Sequence, residues 1–559
     1  MSNLDWFVLF GTLLSIVAYG VYASRGSHNI EGFLLGDKSM RWWTIGLSVV
    51  ATQASAITFL STPGQAYEDG MRFIQIYLGQ PIAVVILCVT IIPIFLKLKV
   101  YTAYEFLENR FDLKTRTLAS FLFFLQRGLQ AGITIFAPSI ILSSILDLSL
   151  EATNLIIGLL VVIYTVSGGT KAVSITQKQQ MAVMMGGMIL AGIVIIYMLP
   201  EEIGFGDALN VAGKLGKLET VDLEFDLTNR YNIWSGIIGG LFIGLSYFGT
   251  DQSQVQRYLS GRSVRESRLG LIFHGLFKLP MQFIILFIGA MVFVFYQFYA
   301  PPVFFNEAAV ENVKASEYRE QFETIEQEYQ SVFEQKRGAV EQLVQAEKNG
   351  DEEGVDNYVS QVHSYIEQEE AIRDKAKLVI TEADPDAETN DTDYVFITFI
   401  MKHLPHGLIG LLLAVIFSAA MSSTASELNA LASTTTVDIY KRSLKPGKSD
   451  RHYLAASRVF TLMWGLIAIS FAMFASLLEN LIELVNIVGS IFYGSILGIF
   501  VVALYLKYVK GNAIFIATIL AQSMVIFLFV ITPIGYLWYN VIGCVLVILF
   551  SLIIQRVIK

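Results

Sequence analysis

Apolar runs close to the ~20 residues that cross a bilayer recur along the whole chain. They lie at roughly 4–24, 42–62, 72–96, 117–146, 153–167, 173–199, 233–258, 271–299, 394–440, 452–477, 481–506, 512–532 and 534–555. The pattern predicts an all-α polytopic membrane protein with about thirteen transmembrane helices. Two runs depart from plain hydrophobicity. The second, VVATQASAITFLSTPGQAYEDG, carries Gln53, Ser55, Thr58, Ser61 and Thr62 ahead of Pro63-Gly64. Such a sequence weakens a membrane helix unless its freed backbone groups find partners. The ninth run is overlong. From Ser418 to Thr436 it is dense in small and hydroxyl residues, more than a lipid-facing helix needs. Residues 306–393 leave the pattern altogether: they are polar, with heptad-like apolar positions and a turn at Lys348-Asn349-Gly350-Asp351. They read as a helical hairpin, about 307–347 and 355–380, followed by an acidic loop.

Composition agrees with the membrane class, at 54% hydrophobic residues and a mean hydropathy of +0.56. Asp5 precedes the first run where a signal peptide would be basic, and no cleavage-like site follows it, so that run is read as a retained helix. The insert holds 24 acidic and 8 basic residues, a net of −16 against −9 for the chain, which leaves +7 for the membrane part. Basic residues gather in alternate loops, including Arg257, Arg262, Arg265 and Arg268, and Lys441, Arg442, Lys445, Lys448 and Arg451. The short loops between them hold only Arg72, Lys214, Lys217 and Arg230. The positive-inside rule then places the N-terminus outside, the C-terminus in the cytoplasm and the hairpin on the outer face of a plasma (inner) membrane. The hairpin is either a solvated ornament or an arm for an extracytoplasmic partner. Asn390-Asp391-Thr392 fits a glycosylation triplet.

Two features could hold a monovalent cation. Hydroxyl oxygens are hard, neutral donors, and small residues let a neighbouring backbone come close. The hydroxyls of the ninth run therefore make an ion site if something suitable faces them; helix packing through Ser and Thr is the bland alternative. Interrupted helices with free carbonyls near the midplane mark secondary transporters built from inverted repeats. The seventh run, GGLFIGLSYFGTDQSQVQR, shares the texture of the second, with Gly249-Thr250-Asp251 near its end. Runs 2–6 and 7–11 pair as two repeats of opposite topology. This divides the chain into a leading helix and loop (1–30), a first repeat (42–200), a second repeat (233–510) interrupted at 303–393, and two further helices (511–559).

These residues resemble the sodium/solute symporter family, which includes sodium–glucose, sodium–proline, sodium–iodide/monocarboxylate and sodium–sialic acid transporters. The resemblance rests on ASAITFLSTPGQAY, YTAYEFLENRFD, SGGTKAVSITQKQQ, GTDQSQVQRYLSGRS and SAAMSSTASELNALASTTTVDIYKR. It implies a LeuT-like 5+5 inverted-repeat fold and solute uptake driven by inward Na⁺. The implied sodium site uses the carbonyls of Ala51, Ala54 and Ala419 with the hydroxyls of Ser422 and Ser423. Members with a second sodium site have Asp where this chain has Gln177 and Ser where it has Ala425. One coupled Na⁺ is therefore expected, with a weak second site at Gln177 and Ser426 left open. The resemblance further implies a solute site among Gln53, Ser55, Thr58, Phe73, Tyr77, Gln80, Tyr247, Lys278 and Asn480, with Tyr247 as an inner gate.

Arg127 lies inside the fourth run, where a guanidinium is costly unless paired and matches a carboxylate in shape. It either holds a solute carboxylate or snorkels to the cytoplasmic interface; Lys278 admits the same two readings. No Asp or Glu is expected deep in the core, which leaves a neutral or anionic solute: a sugar, a sugar acid such as sialic acid, or a monocarboxylate. A neutral sugar or inositol symporter is the nearest alternative, and a transporter-like sensor or channel is the rival from another class. An enzyme is not expected, because the six histidines are scattered and Cys88 and Cys544 lie in apolar runs. The partners expected are the solute, Na⁺ and the bilayer, not nucleic acid.

Overall fold

The computed structural model describes residues 1–23, 32, 35, 38–146, 148–385, 387–474 and 480–558. The loop after the first run, with Arg25, lies outside these residues. Among them, regular structure is helical apart from an isolated bridge between Met40 and Gly261. Nine helical stretches there are long and apolar enough to cross a membrane.

The chain begins with α1 (Asn3–Ala23), α2 (Trp42–Gln53) and α3 (Ala56–Asp69). A 3₁₀ segment, Gly70–Tyr77, leads to α4 (Gln80–Val89) and α5 (Ile91–Leu98), then α6 (Glu105–Arg110) and α7 (Leu113–Leu146). α8 (Leu150–Tyr197) carries the fifth and sixth runs, and α9 (Phe205–Lys214) follows. The sequence predicts a break inside α8, yet its residues are helical throughout. Gly158 packs on Ile469, whereas Gly187 packs on Val415.

The seventh run opens with a π-helical turn, Ser235–Gly239, and continues as α10 (Gly240–Thr250) and α11 (Gln252–Leu259). α12 (Val264–Phe298) leads into the insert: α13 (Glu307–Lys314), α14 (Arg319–Asn349) and α15 (Glu352–Ala383). The ninth run is two elements, which explains its length: a short α16 (Val395–His403) and, beyond Pro405, α17 (Leu408–Thr434), which runs on as a π-helix, Thr435–Leu444. α18 (Asp450–Ala472), α19 (Leu481–Tyr505), α20 (Gly511–Ile531) and α21 (Trp538–Val557) complete the fold.

Helix interruptions position the site. The Pro63-Gly64 pair, from which a break is expected, lies within α3, while the backbone unwinds earlier, at Ala54 (φ −81°, ψ 81°) and Ser55 (φ −82°, ψ 175°). Pro63 is tolerated because neighbouring backbone closes around it: Gly289 packs on the Pro63 carbonyl and Gly64 on that of Thr392. A second interruption falls at Asp251 (φ −78°, ψ 120°), between α10 and α11.

The insert is a helical hairpin, α14 against α15, turned at Gly350 (φ +68°) and capped by Asp351, which accepts from the Gly354 amide at 3.0 Å. Lys336 and Glu369 pair at 2.6 Å inside it. The hairpin is tied to the membrane part at both ends. At its tip, Lys348 donates to the Glu202 carbonyl at 2.7 Å and pairs with Asp207 at 3.1 Å. At its base, Arg373 grips Asp391 through two bonds of 2.8 and 2.9 Å, and Asp391 accepts from the Phe305 amide at 2.6 Å.

Candidate functional site

α17 crosses α2 at the Ala54–Ser55 interruption. Small residues permit this approach, and the Ser422 hydroxyl donates to the Ala51 carbonyl at 3.1 Å. Ser423, one residue on, bonds within its own helix, to the carbonyls of Ala419 at 2.9 Å and Ala420 at 3.3 Å. Ala51, Ala54, Ala419, Ser422 and Ser423 are all fully buried. The structure thus brings Ser422 onto Ala51 across the helix pair, whereas Ser423 meets Ala419 on its own helix. Every atom in this group is a neutral oxygen, a donor set that fits a monovalent alkali ion.

Gln177, on α8, closes the other side. Its amide nitrogen donates to Ser422 Oγ at 2.8 Å, Thr52 Oγ1 at 3.1 Å and Ser426 Oγ at 3.2 Å, and Ser48 donates to its carbonyl. A donor therefore stands among three hydroxyl oxygens where the sequence leaves a weak second cation site open. Ser426 Oγ also bonds the Ser422 carbonyl at 2.8 Å and Thr52 Oγ1 at 3.2 Å.

On the far side of the interruption lies a cavity of about 80 Å³. Gln53, Ser55, Thr58, Tyr77, Gln80 and Tyr247 line it, with Arg127, Gln130, Asn486 and Tyr493 among the others. Two expected contacts are elsewhere. Phe73 is fully buried between two rings, Tyr77 on the cavity side at 5.9 Å and Tyr231 at 5.3 Å. Tyr231 belongs to a vestibule of about 500 Å³ toward the hairpin, lined also by Glu68, Asp69, Arg72, Arg230 and Glu483. Asn480 sits in this vestibule too, capping α19 by accepting from the Ile482 amide at 3.0 Å, so span 11 reaches the cavity through Ile482, Val485 and Asn486 instead. Phe73 and Tyr231 form the layer between vestibule and cavity. Lys278 is fully buried on α12, with its ammonium 5.1 Å from the Tyr77 ring.

Arg127 does not snorkel: it is buried, it lines the cavity with its Nε unpartnered among the described residues, and its terminal nitrogens meet the protein's own carboxylates. One terminal nitrogen donates to Glu427 at 3.0 Å; the other pairs with Asp251 and donates to the Tyr493 hydroxyl at 2.8 Å. The expectation of no deep Asp or Glu fails for the same reason: Asp251, Glu427 and Asp438 are all buried. Asp251 is well placed because α10 stops there; its side chain caps α11 through the Ser253 amide at 2.8 Å and reaches Arg127 as well. Tyr247 lies just above, its ring 5.4 Å from the Arg127 guanidinium and its hydroxyl accepting from Gln254 at 2.7 Å. The cluster ties α7, α10, α17 and α19 together at the end of the cavity away from the hairpin. The signal in the sequence was Arg127 itself: a guanidinium inside an apolar run demands carboxylate partners.

The sodium:solute symporter family model matches residues 33–319 and 378–557, passing over most of the hairpin. The chain is 31% identical over 293 residues to the human sodium/iodide cotransporter, covering 51% of this chain and 44% of that protein. It is 27% identical over 512 residues to the sodium-dependent multivitamin transporter of Oryctolagus cuniculus, covering 90% of this chain and 66% of that one. The match to the sodium/sialic acid symporter SiaT of Proteus mirabilis is 25% identical over 556 residues and covers 98% and 93% of the two chains. The chain thus spans less than half the length of the iodide cotransporter and nearly all of SiaT. A solved Na⁺-coupled sialic acid symporter, substrate-bound and outward-open, aligns with a TM-score of 0.76 at 23% identity over 100% of this chain and 98% of that one. That likeness is one of fold.

Proposed function

The chain belongs to the sodium:solute symporter family, and on that footing we propose that it imports a small neutral or anionic organic solute coupled to Na⁺. The observation that carries the reading is the contact between Ser422 and the Ala51 carbonyl where α2 unwinds. In this reading Na⁺ binds among the oxygens of Ala51, Ala54, Ala419, Ser422 and Ser423, and the solute occupies the cavity beside Gln53, Ser55, Thr58, Tyr77 and Gln80. One Na⁺ per cycle is favoured, because the Gln177 amide nitrogen, a donor, already stands within hydrogen-bond distance of Ser426, Thr52 and Ser422.

The two interruptions, at Ala54–Ser55 and Asp251, support two inverted repeats, 42–200 and 233–510. The N-terminus and the hairpin then face outside and the C-terminus the cytoplasm of a plasma membrane. Na⁺ entering from outside draws α2 and α17 together and steadies the outward-open cavity. Solute then closes the Phe73–Tyr231 layer, and the Arg127 cluster with Tyr247 yields toward the cytoplasm. Each ligand raises the affinity of the other by the same factor, typically worth about 1–3 kcal/mol. Proteoliposome uptake with and without an inward Na⁺ gradient tests the proposal. Accumulation that ignores the gradient removes it, and Na⁺-gated currents without solute accumulation favour the channel reading.

A further inference from the structure

Beneath the hairpin lies a cavity of about 640 Å³ that shares no lining residue with the one beside Ser55. α3 and α12 supply one side of it, α14 and α15 the other. The wall residues on α14 and α15 fall in the segment that the symporter family model passes over, so the family match does not account for this cavity. Two of the lining side chains carry a buried oxygen with no donor. Glu369, on α15, gives one carboxylate oxygen to Lys336 at 2.6 Å, and its other oxygen has no hydrogen-bond partner among the described residues. Gln297, on α12, donates its amide to the Phe293 carbonyl at 3.0 Å and leaves its carbonyl oxygen unpartnered. Glu369 is 6% exposed and Gln297 1%. An unpaired buried acceptor is costly and calls for a donor.

Charge points the same way. Six carboxylates and four Lys or Arg side chains line the cavity, a formal excess of two negative charges. Three of the cations are paired: Lys336 with Glu369, Arg373 with Asp391, and Lys377 with Asp374 at 3.2 Å. The carboxylates of Glu68, Asp69 and Glu370 form no ion pair among the described residues. The fourth cation, Lys217, shows what this wall accepts: its ammonium lies 4.5 Å from the centre of the Phe293 ring and donates to the Glu68 carbonyl. Tyr67 and Tyr329 supply two further rings. Among the described residues no three acidic, His or Cys side chains converge as a metal ion requires, so the cation that fits is an organic one.

We infer that this cavity is a second ligand site and takes an aliphatic ammonium ion with N–H donors. Its hydrogens satisfy Glu369 and Gln297, and its charge offsets the surplus carboxylates. A bound amine joins the hairpin to α3 and α12. The site is distinct from those of solute and Na⁺, so the inference stands beside the symport reading and does not depend on it.

The test uses the detergent-purified full chain at constant sodium and constant ionic strength. Thermal shifts are recorded with ethylammonium, putrescine, tetramethylammonium or magnesium chloride added in turn. Ethylammonium and putrescine are expected to raise the melting temperature; tetramethylammonium, which has no N–H, and magnesium are not. Hydrogen exchange on the same samples is expected to slow in α15 and across 389–395. Gln297→Met is expected to weaken amine binding about fivefold or more, and Glu369→Gln to weaken it further. Glu369→Gln also strips Lys336 of its partner, so Gln297→Met, which breaks no ion pair, decides the case if the other variant does not fold. An equal shift with tetramethylammonium or magnesium overturns the inference. So does an amine shift unchanged in Gln297→Met, or no amine shift in the wild type. Absence of any Na⁺ shift in a separate sodium titration bears on the symport reading alone.

Discussion

Gln177 donates its side-chain amide to Ser422 Oγ at 2.8 Å, so the hydroxyl that reaches the unwound helix is itself held from behind by α8. This relationship makes α8 part of the proposed sodium site without supplying it an oxygen. It also defines how the site can be altered. Gln177→Asp replaces a donor with an anion facing Thr52, Ser422 and Ser426. The expected outcome is a second bound Na⁺, read as a Hill coefficient for Na⁺-dependent stabilisation or uptake that rises from about 1 toward 2. A coefficient that stays at the wild-type value shows that those hydroxyls do not form a cation cage.

Ser422→Ala and Ser423→Ala separate the two hydroxyls. Ser422 alone spans the helix pair, so its loss is expected to lower Na⁺ affinity about fivefold to tenfold, the worth of one hydroxyl ligand. Ser423→Ala is expected to lower Na⁺ affinity and abolish concentrative uptake while expression stays intact. Sodium titrations of thermal stability on both variants check this, and unchanged sodium dependence in both removes the site assignment.

Arg127→Gln leaves Asp251 and Glu427 buried without their cation, a loss of about 3–5 kcal/mol for a broken buried pair. The triple change Arg127→Gln, Asp251→Asn, Glu427→Gln removes the charges together and is expected to recover most of that stability. Denaturation of the single and triple variants measures the difference. The triple variant is also expected to open more readily on the face away from the hairpin, seen as faster modification of a cysteine placed near Tyr247.

The turn before α16 makes stability depend on pH. Burial, with the nearby charge of Asp393, pushes the Glu388 carboxyl up to about 8, and burial lifts Asp393 to about 6. Asp391 and the Tyr394 hydroxyl also face Glu388, the latter donating to it at 3.4 Å. Acids with raised values bind protons more tightly in the folded chain than in the unfolded one. Their contribution is therefore complete at low pH and is lost as pH rises through the folded values, between about 4.5 and 8 for Glu388. Glu388→Gln is expected to flatten the fall in melting temperature over that window and to leave the variant more stable than wild type at pH 8.5.

Much of this was legible in the chain. Period and length of the apolar runs located the nine stretches long enough to cross a membrane, though not the continuity of α8, and the heptad-like positions within 306–393 announced the hairpin. The hydroxyls at Ser422 and Ser426 announced a buried contact between helices, because nothing in lipid requires them. What stayed hidden depended on contacts between distant segments. Pro63-Gly64 is the stronger local breaker, yet the helix unwinds at Ala54, since Gly289 and Thr392 close around the proline. Asp251 stands near the end of the seventh run, and Glu427 stands among the serines of the ninth. Only their convergence on Arg127, across more than a hundred residues of sequence in each case, makes them one group. Asn480, placed in the solute site by the resemblance, caps α19 in the vestibule, and Asn486, six residues on, lines the cavity instead.

In the proposed orientation, the base of the hairpin has a consequence for control from outside. Asp391, held by Arg373, begins a turn in which Thr392 bonds Glu68 of the broken helix and Asp393 accepts from the Leu481 amide at the head of α19. The hairpin is thus a handle bolted to α3 and α19, two walls that the proposed cycle moves apart to admit solute. In that cycle, a ligand that stiffens the hairpin is expected to slow turnover without entering the cavity.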